Sequence, residues 1–125
     1  MQIVNETRGT LLGRSVRLAD TVWARLRGYL FRPPPRAGEG MLLTPCNAIH
    51  TWGMRFPLDV IHLDAGGRVL EVSKSLTPWK TSGRVVNGRY VLEVPVGTVE
   101  ATGTAVGDIC SWTRPTTASH RLKEI

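Results

Sequence analysis

The sequence predicts a mainly β fold of the α+β type, in which one amphipathic helix packs against a small, partly open β-barrel. Thirteen Gly and eight Pro among 125 residues indicate many turns, and therefore short strands rather than long helices. Residues 58–63 carry apolar side chains at both strand parities, so a strand there must be covered on both sides. Residues 20–30 repeat apolar side chains at helical spacing, which predicts one substantial helix.

The first forty residues are predicted to form two strands and this helix. Residues 2–6 and 11–18 have the apolar content of short strands. Asp20 is a good N-cap residue for the helix that follows. The apolar stripe of that helix comprises Val22, Trp23, Leu26 and Leu30. Residues 33–35 are all proline and end the helix, because proline lacks a backbone N–H and clashes with the preceding turn.

The rest of the chain is predicted to alternate between strands and turns. Residues 64–67, Asp-Ala-Gly-Gly, have the composition of a tight hairpin turn, so the segments on either side should pair antiparallel. In order, the predicted elements are a strand at 41–43, strands at 58–63 and 68–73, a loop at 75–88, a strand at 90–96, a turn of helix within 97–105 and a last strand at 109–112.

Chain length and composition are typical of one globular unit. A protein of this size buries roughly two thirds of the surface that its unfolded chain exposes, which is enough for one core. Apolar residues make up 42% and charged residues 21%, a composition that excludes a disordered protein. We expect a single domain over residues 1–113 and a flexible tail over 114–125.

The sequence also predicts a soluble, cytoplasmic protein without a membrane span. Asn5, Glu6 and Arg8 lie where a secretory signal would be apolar. No stretch approaches the ~20 apolar residues that a transmembrane helix needs. Cys46 and Cys110 are too few for a disulfide framework and are expected to be reduced thiols.

The net charge of +6 is unevenly distributed. Residues 1–40 hold seven Arg against three acidic residues, whereas residues 41–113 hold six basic and six acidic residues. A solvated Arg-rich surface is the simpler interpretation, and an accessory protein that binds an anionic partner through this N-terminal third is the alternative. Because the chain shows no stripe of basic and aromatic residues of the kind that holds single-stranded nucleic acid, a nucleic-acid partner is not expected.

Several segments resemble the DUF192 family. The main match is residues 45–64, PCNAIHTWGMRFPLDVIHLD, and residues 25–30, 91–97 and 106–108 match in the same order along the family's pattern. The resemblance covers roughly residues 2–112 and implies a compact, partly open β-barrel with a helix packed against it. It implies no particular reaction. The short stretch around Arg55 resembles the intracellular branch of the family rather than the secreted one.

The densest group of chemically capable side chains lies in this main matching segment. A cleft that binds a small ligand needs a few directed polar groups among apolar walls. We therefore predict a non-catalytic cleft around residues 50–59 and 93 that binds a small molecule or a peptide segment. The candidate ligand-binding residues are His50, Thr51, Trp52, Met54, Arg55, Asp59 and Glu93.

A structural interpretation of the same residues stays open. Met54 and the aromatic residues beside it would then belong to the core, and Arg55 would pair with Asp59. Strand parity places Asp59 with Ile61 and Leu63. If that face is interior, the carboxylate needs an ion pair or backbone N–H partners, because an unpaired buried charge is costly.

An enzymatic interpretation uses Asp59 with His50 or Glu93 as acid–base groups. Cys46 and His50 could also be a nucleophile and its base, but a four-residue spacing in a loop fixes no contact. A partly buried free thiol explains Cys46 more simply. No third group that would orient His50 is evident, so the sequence predicts no catalytic residue. The chain has no Cys-x-x-Cys or His-x-His pair, so the sequence predicts no metal, and no cofactor is expected.

Overall fold

The computed structural model describes residues 1–113, and over that range the chain forms eight strands in two sheets and two short helices. The elements are β1 (Ile3–Asn5), β2 (Thr10–Gly13), β3 (Ser15–Ala19), α1 (Val22–Arg27), β4 (Glu39–Leu43), β5 (Leu58–Leu63), β6 (Val69–Leu76), β7 (Tyr90–Val94), α2 (Thr98–Thr102) and β8 (Cys110–Trp112). The mainly β class is confirmed. The two sheets do not close into a barrel, an arrangement loosely compatible with the partly open barrel. The predicted tail, 114–125, lies outside the described residues.

The two sheets differ in size and in strand direction. The smaller sheet has the order β2-β1-β8 and is antiparallel, whereas the larger has the order β3-β4-β7-β5-β6. In the larger sheet β3 and β4 run parallel, because the segment containing α1 carries the chain back between them. Its other neighbours are antiparallel, and the predicted hairpin between β5 and β6 is confirmed.

The large sheet has two buried faces, which strand alternation separates. On β5, Asp59 and Ile61 point to one face and Val60 and His62 to the other, and all six residues of β5 are buried. The register of β7 against β5 places Glu93 on the side of Val60. We call the two sides the Asp59 face (Asp59, Ile61, Leu63, Leu92, Val94) and the Glu93 face (Leu58, Val60, His62, Val91, Glu93).

Each face has its own hydrophobic core. The Asp59 face packs against the small sheet and α2, where Ile3, Leu12 and Val99 are at most 2% exposed. The Glu93 face is covered by irregular segments that follow β3 and β4, including Tyr29 and Ile49. The predicted burial of β5 on both sides is therefore confirmed.

The segment 11–18 is two strands, so the prediction of one continuous strand is wrong. The chain leaves β2 at Gly13, passes through Arg14 and enters β3 in the other sheet. The N–H groups of Arg14 and Ser15 both donate to the carbonyl of Gly38, which fixes the bend. A Cβ on Gly13 would lie 2.6 Å from Val16, so the bend needs glycine.

The helix begins one residue later than predicted and exposes its apolar stripe. Thr21, not Asp20, is the N-cap, because its Oγ1 accepts a hydrogen bond from the Ala24 N–H at 3.1 Å. No residue of α1 is buried, and Trp23 is 82% exposed. Of the predicted stripe only Leu30, beyond the helix end, packs against the core, and on α1 itself Ala24 does so. No helix in residues 1–113 is long and apolar enough to cross a membrane.

Candidate functional site

A cavity of about 240 Å³ lies on the Glu93 face of the large sheet, between α1 and residues 46–54. Its walls are mainly apolar, and its polar side chains come from three separate segments of the chain. The side chains and backbone that line it belong to Val22, Arg25, Leu26, Arg27, Gly28, Tyr29, Leu30, Leu43, Cys46, Ala48, Ile49, His50, Trp52, Met54 and Glu93. This combination of an apolar wall and a few polar groups is typical of a ligand site.

The wall formed by residues 46–54 has no regular structure, and hydrogen bonds to residues 77–85 hold it in place. The N–H of Thr51 donates to the carbonyl of Lys80 at 2.8 Å. The Thr51 hydroxyl donates to the carbonyl of Thr77 at 2.6 Å and accepts from the Lys80 N–H at 2.9 Å. Thr51 is fully buried, so its role is to join the two loops.

Glu93 is the most unusual group at the cavity. Its side chain is 4% exposed, and its Oε1 is buried without a hydrogen-bond partner among residues 1–113. Burial alone raises the pKa of Glu93 to about 7, because desolvation disfavours the charged form. Near neutral pH the carboxyl therefore populates both its protonated and its ionised forms.

Gly28 leaves room for this carboxyl. A Cβ at position 28 would lie 3.0 Å from the Glu93 Oε1. The backbone of Gly28 has φ 48° and ψ −125°, a conformation that residues other than glycine rarely adopt. The Gly28 N–H meanwhile donates to the Ala24 carbonyl and ends α1. The glycine therefore closes the helix and lets the backbone pass close to Glu93.

Two further ionisable groups respond to the negative charge of Glu93. Burial, followed by the charge of Glu93, raises the pKa of Tyr29 to about 12. Burial also raises the pKa of the Cys46 thiol, and Glu93 adds to that effect. The Cys46 thiol donates to the Ala48 carbonyl at 3.1 Å. Both groups are therefore protonated at neutral pH and face the cavity as neutral polar groups.

The rim of the cavity carries two positive charges and an aromatic pair. The Arg25 guanidinium donates to the Asp20 carbonyl at 3.2 Å, and that of Arg27 donates to the Leu30 carbonyl at 3.2 Å. The rings of His50 and Trp52 lie 5.2 Å apart between centroids, and the backbone N–H of Trp52 donates to His50 Nδ1 at 3.3 Å. Trp52 is 57% exposed.

The seven candidate residues fall into two groups. His50, Trp52, Met54 and Glu93 all line the cavity, whereas Thr51, Arg55 and Asp59 do not. Arg55 is exposed and borders a neighbouring depression together with Tyr29. The structure thus brings four of the seven predicted residues to one opening and assigns the other three to different surroundings.

Asp59 lies on the opposite face of the sheet, where backbone groups satisfy it. Its Oδ1 accepts from the Ser75 N–H at 2.8 Å, and its Oδ2 accepts from the N–H groups of Gly97 and Val99 at 3.1 and 3.0 Å. Asp59 makes no ion pair with Arg55: the ion pair found in residues 1–113 joins Arg8 and Asp108. The predicted Arg55–Asp59 pair is therefore wrong.

The proposed acid–base set of Asp59 with His50 or Glu93 is not assembled either. Asp59 is 1% exposed and separated from Glu93 by the sheet itself. Within residues 1–113 no three His, Cys, Asp or Glu side chains converge as metal ligands would. Cys46 and Cys110 are free thiols, and Cys46 is half-buried.

Sequence reasoning missed the contribution of α1 and the segment that follows it. Val22 and Leu26 were expected to face the core, yet they line the cavity and reach solvent. Tyr29 is not among the candidate site residues, and Cys46 is considered there only as a possible nucleophile or a partly buried free thiol. The available signal was the helix stripe itself, because an apolar stripe that ends in glycine beside a tyrosine can form one wall of an opening as well as a core contact.

Comparison with known proteins gives a family and a fold. The profile of the DUF192 family, described as an uncharacterized ACR, matches residues 3–112. A UPF0127 protein of Thermococcus sibiricus is 30% identical over 114 residues, which cover 88% of this chain and 73% of the relative. A UPF0127 protein of Pyrococcus horikoshii is 35% identical over 113 residues, covering 88% of this chain and 97% of the relative.

A solved structure resembles the whole described fold. A Sinorhizobium meliloti protein, described as a "putative transcription regulator", matches with a TM-score of 0.72 over 88% of this chain and 89% of its own. The sequences are 23% identical, so this likeness shows the fold alone.

Proposed function

Because this chain belongs to the DUF192 family, whose description assigns no activity, we propose a function from the cavity itself: a non-catalytic domain that binds a small molecule or a peptide side chain against Glu93. The observation that carries the proposal is the unpartnered Glu93 Oε1. Buried polar atoms in native proteins almost always have a hydrogen-bond partner, so one without a partner at the base of a cavity suggests a ligand that supplies it.

The chemistry of Glu93 defines the group that the ligand presents. In its ionised form the carboxyl accepts hydrogen bonds only, and in its protonated form it donates one and still accepts. An amine or amide N–H satisfies Oε1 in either form. A bound ammonium also favours the ionised form, so amine binding strengthens as the pH rises towards and through the pKa of about 7.

The size and walls of the cavity define the rest of the ligand. A volume of about 240 Å³ lies below the usual range for drug-sized sites, so it suits a small metabolite or one side chain of a peptide. Leu26, Leu30 and Met54 offer apolar contact to its body. Arg25 and Arg27 at the rim favour a ligand that carries an acidic group at its outer end.

Catalysis is the weaker interpretation of the same groups. Burial keeps the Cys46 thiol protonated, and a protonated thiol is a poor nucleophile. His50 is exposed and its Nδ1 accepts from the backbone N–H of Trp52, so that nitrogen is not directed at Cys46. A cavity with one unpartnered carboxyl and no oriented base suits binding better than turnover.

The test is a ligand screen with a matched pair of variants. Wild-type protein, Glu93→Gln and the exposed-site control Glu100→Gln are melted with a library of small amines, amides and amino acids. A ligand that binds only the native state raises the melting temperature by mass action, by several degrees at a large excess over Kd.

We expect at least one amine to stabilise the wild type and the Glu100 variant, and to lose most of that shift in the Glu93 variant. Equal shifts of the melting temperature in all three proteins would show that Glu93 does not contribute to ligand binding. A flat response of the wild type across the library would end the proposal.

A further inference from the structure

A second depression, of about 340 Å³, lies beyond Tyr29 from the cavity and is rich in arginine. Arg17 reaches it from β3, Arg32 from the turn after α1, and Arg36 from the loop that leads to β4. Three positive side chains from three separate segments therefore border one concave surface. Glu39 is the acidic residue on that surface.

These charges are not neutralised within the described chain. The ion pair found in residues 1–113 is Arg8 with Asp108, so none of the three arginines is paired with a carboxylate. Glu39 uses its Oε1 to accept the backbone N–H of Arg36 at 2.8 Å. Burial, and then the nearby charges of Arg27 and Arg17, lower the pKa of Arg32, which indicates that Arg17 and Arg27 repel the Arg32 guanidinium.

The backbone around the depression is held in place before any ligand arrives. Residues 33–35 are proline, which fixes φ through the loop. The Arg32 guanidinium donates through Nε to the Gly28 carbonyl at 3.2 Å, and the Glu39 N–H donates to the Arg36 carbonyl at 2.9 Å. An anion between Arg17 and Arg32 relieves their repulsion, and the backbone part of the ordering cost is met before it binds.

We propose that this depression binds the phosphate group of a small molecule through Arg17, Arg32 and Arg36. Guanidinium groups form paired hydrogen bonds to oxyanions, and a tetrahedral phosphate can accept them from several directions, which a planar carboxylate cannot do as well. The volume leaves space for a small group attached to the phosphate. None of the three arginines lines the Glu93 cavity, so either proposed site can be disproved without affecting the other.

The experiment is a calorimetric titration of the full chain with inorganic phosphate, and separately with sulfate, at two salt concentrations. The variants are Arg17→Gln, Arg32→Gln and Arg36→Gln, with the exposed Arg84→Gln as the control of equal charge change. Arg36 is exposed and uses only its backbone in the hydrogen bonds described, so its variant folds even if Arg32→Gln does not.

We expect saturable phosphate binding that weakens about tenfold in each site variant and less than twofold in the Arg84 variant. Equal weakening in all four variants would mean that net charge alone attracts the anion, and would overturn the site. Absence of saturable phosphate binding would overturn it as well. So would tight binding of a duplex or single-stranded oligonucleotide by a protein that does not bind free phosphate.

Discussion

The two faces of the large sheet differ in whether their buried ionisable groups have hydrogen-bond partners. On the Asp59 face, the Asp59 carboxylate accepts three backbone N–H groups at 2.8 to 3.1 Å. On the Glu93 face, the Glu93 Oε1 and both ring nitrogens of His62 are buried without a hydrogen-bond partner in the described part of the chain. The same five strands therefore carry a fully satisfied polar group on one side and unsatisfied ones on the other.

This difference separates stability from binding. A satisfied buried carboxylate ties three segments together and contributes to folding, whereas an unsatisfied one subtracts from stability unless something binds it. The Asp59 face is sealed by the small sheet and α2, but the Glu93 face is covered by loops that leave an opening. The asymmetry predicts that substitutions of comparable chemistry will have opposite effects on the two faces.

The largest effect is expected at Asp59. Asp59→Ala leaves the N–H groups of Ser75, Gly97 and Val99 buried or half-buried without an acceptor, and should lower the free energy of unfolding by about 3–5 kcal/mol. Urea unfolding followed by circular dichroism measures this loss, with the exposed Glu71→Ala as control. A loss below about 1 kcal/mol would show that these hydrogen bonds do not hold α2 in place.

The next effect concerns pH and Glu93. The folded pKa of about 7 lies above the ordinary 4.5, so the native state holds the proton more tightly than the unfolded chain. The stabilisation is therefore complete below pH 4.5 and is lost as the pH rises through 7. For a shift of this size the loss is on the order of 3 kcal/mol. Glu93→Gln cannot titrate, so its stability should not fall over this range as the wild type's does.

Urea unfolding at several pH values between 4 and 9 measures this difference between the two proteins. Tyr29 and Cys46, which line the same cavity as Glu93, are protonated in both proteins across most of this range, because burial raises the pKa of each. Identical pH profiles for wild type and Glu93→Gln would mean that Glu93 is solvated or partnered, and would remove the contrast between the faces.

The sequence predicts the sealed face better than the open one, for a physical reason. Alternation within residues 58–63 is a local property, and the predicted bounds of β5 match the structure. The partners of Asp59 are not local: Gly97 and Val99 lie 38 and 40 residues away along the chain. Sequence alone correctly named backbone N–H groups as one way to stabilise Asp59, but the pairing with Arg55 was an equal alternative that only the fold could exclude.

The open face was harder to predict because its geometry depends on register and on loops. The side of the sheet that Glu93 faces follows from the pairing of Asp59 with Val94 and of Val60 with Glu93, which composition does not give. The helix stripe was assigned to the core because amphipathic stripes usually are buried. Here the helix is only six residues long and ends at Gly28, so its apolar side borders an opening instead.

A smaller effect is expected at His62, the other unsatisfied group on the Glu93 face. Burial lowers the pKa of His62, with Glu71 opposing that effect, so the unfolded chain takes up the proton first. The stability contribution is thus lost as the pH falls below about 6.5. His62→Leu removes the two unpartnered nitrogens and should raise stability by about 1 kcal/mol at pH 7.

Acid unfolding of His62→Leu, followed by tryptophan fluorescence, should begin at a lower pH than in the wild type. Val91 lies opposite His62 on the neighbouring strand, so leucine meets an apolar surface there. A variant that is less stable at pH 7 would indicate that the imidazole has a partner and that the Glu93 face is better satisfied than the structure shows.

The smallest effect on stability, and the sharpest test of the division between the faces, is expected on α1. Leu26 and Trp23 are 60% and 82% exposed, so Leu26→Ser and Trp23→Ser should each change the free energy of unfolding by less than about 0.5 kcal/mol.

Leu26 lines the cavity and Trp23 does not. An amine that stabilises the wild type should therefore lose affinity for Leu26→Ser and keep it for Trp23→Ser. Equal affinity for both variants would mean that the amine does not sit between α1 and Glu93, whatever its effect on the melting temperature. If the Glu93 face binds a ligand and contributes little to folding, Leu26→Ser must lose affinity for the amine without losing free energy of unfolding.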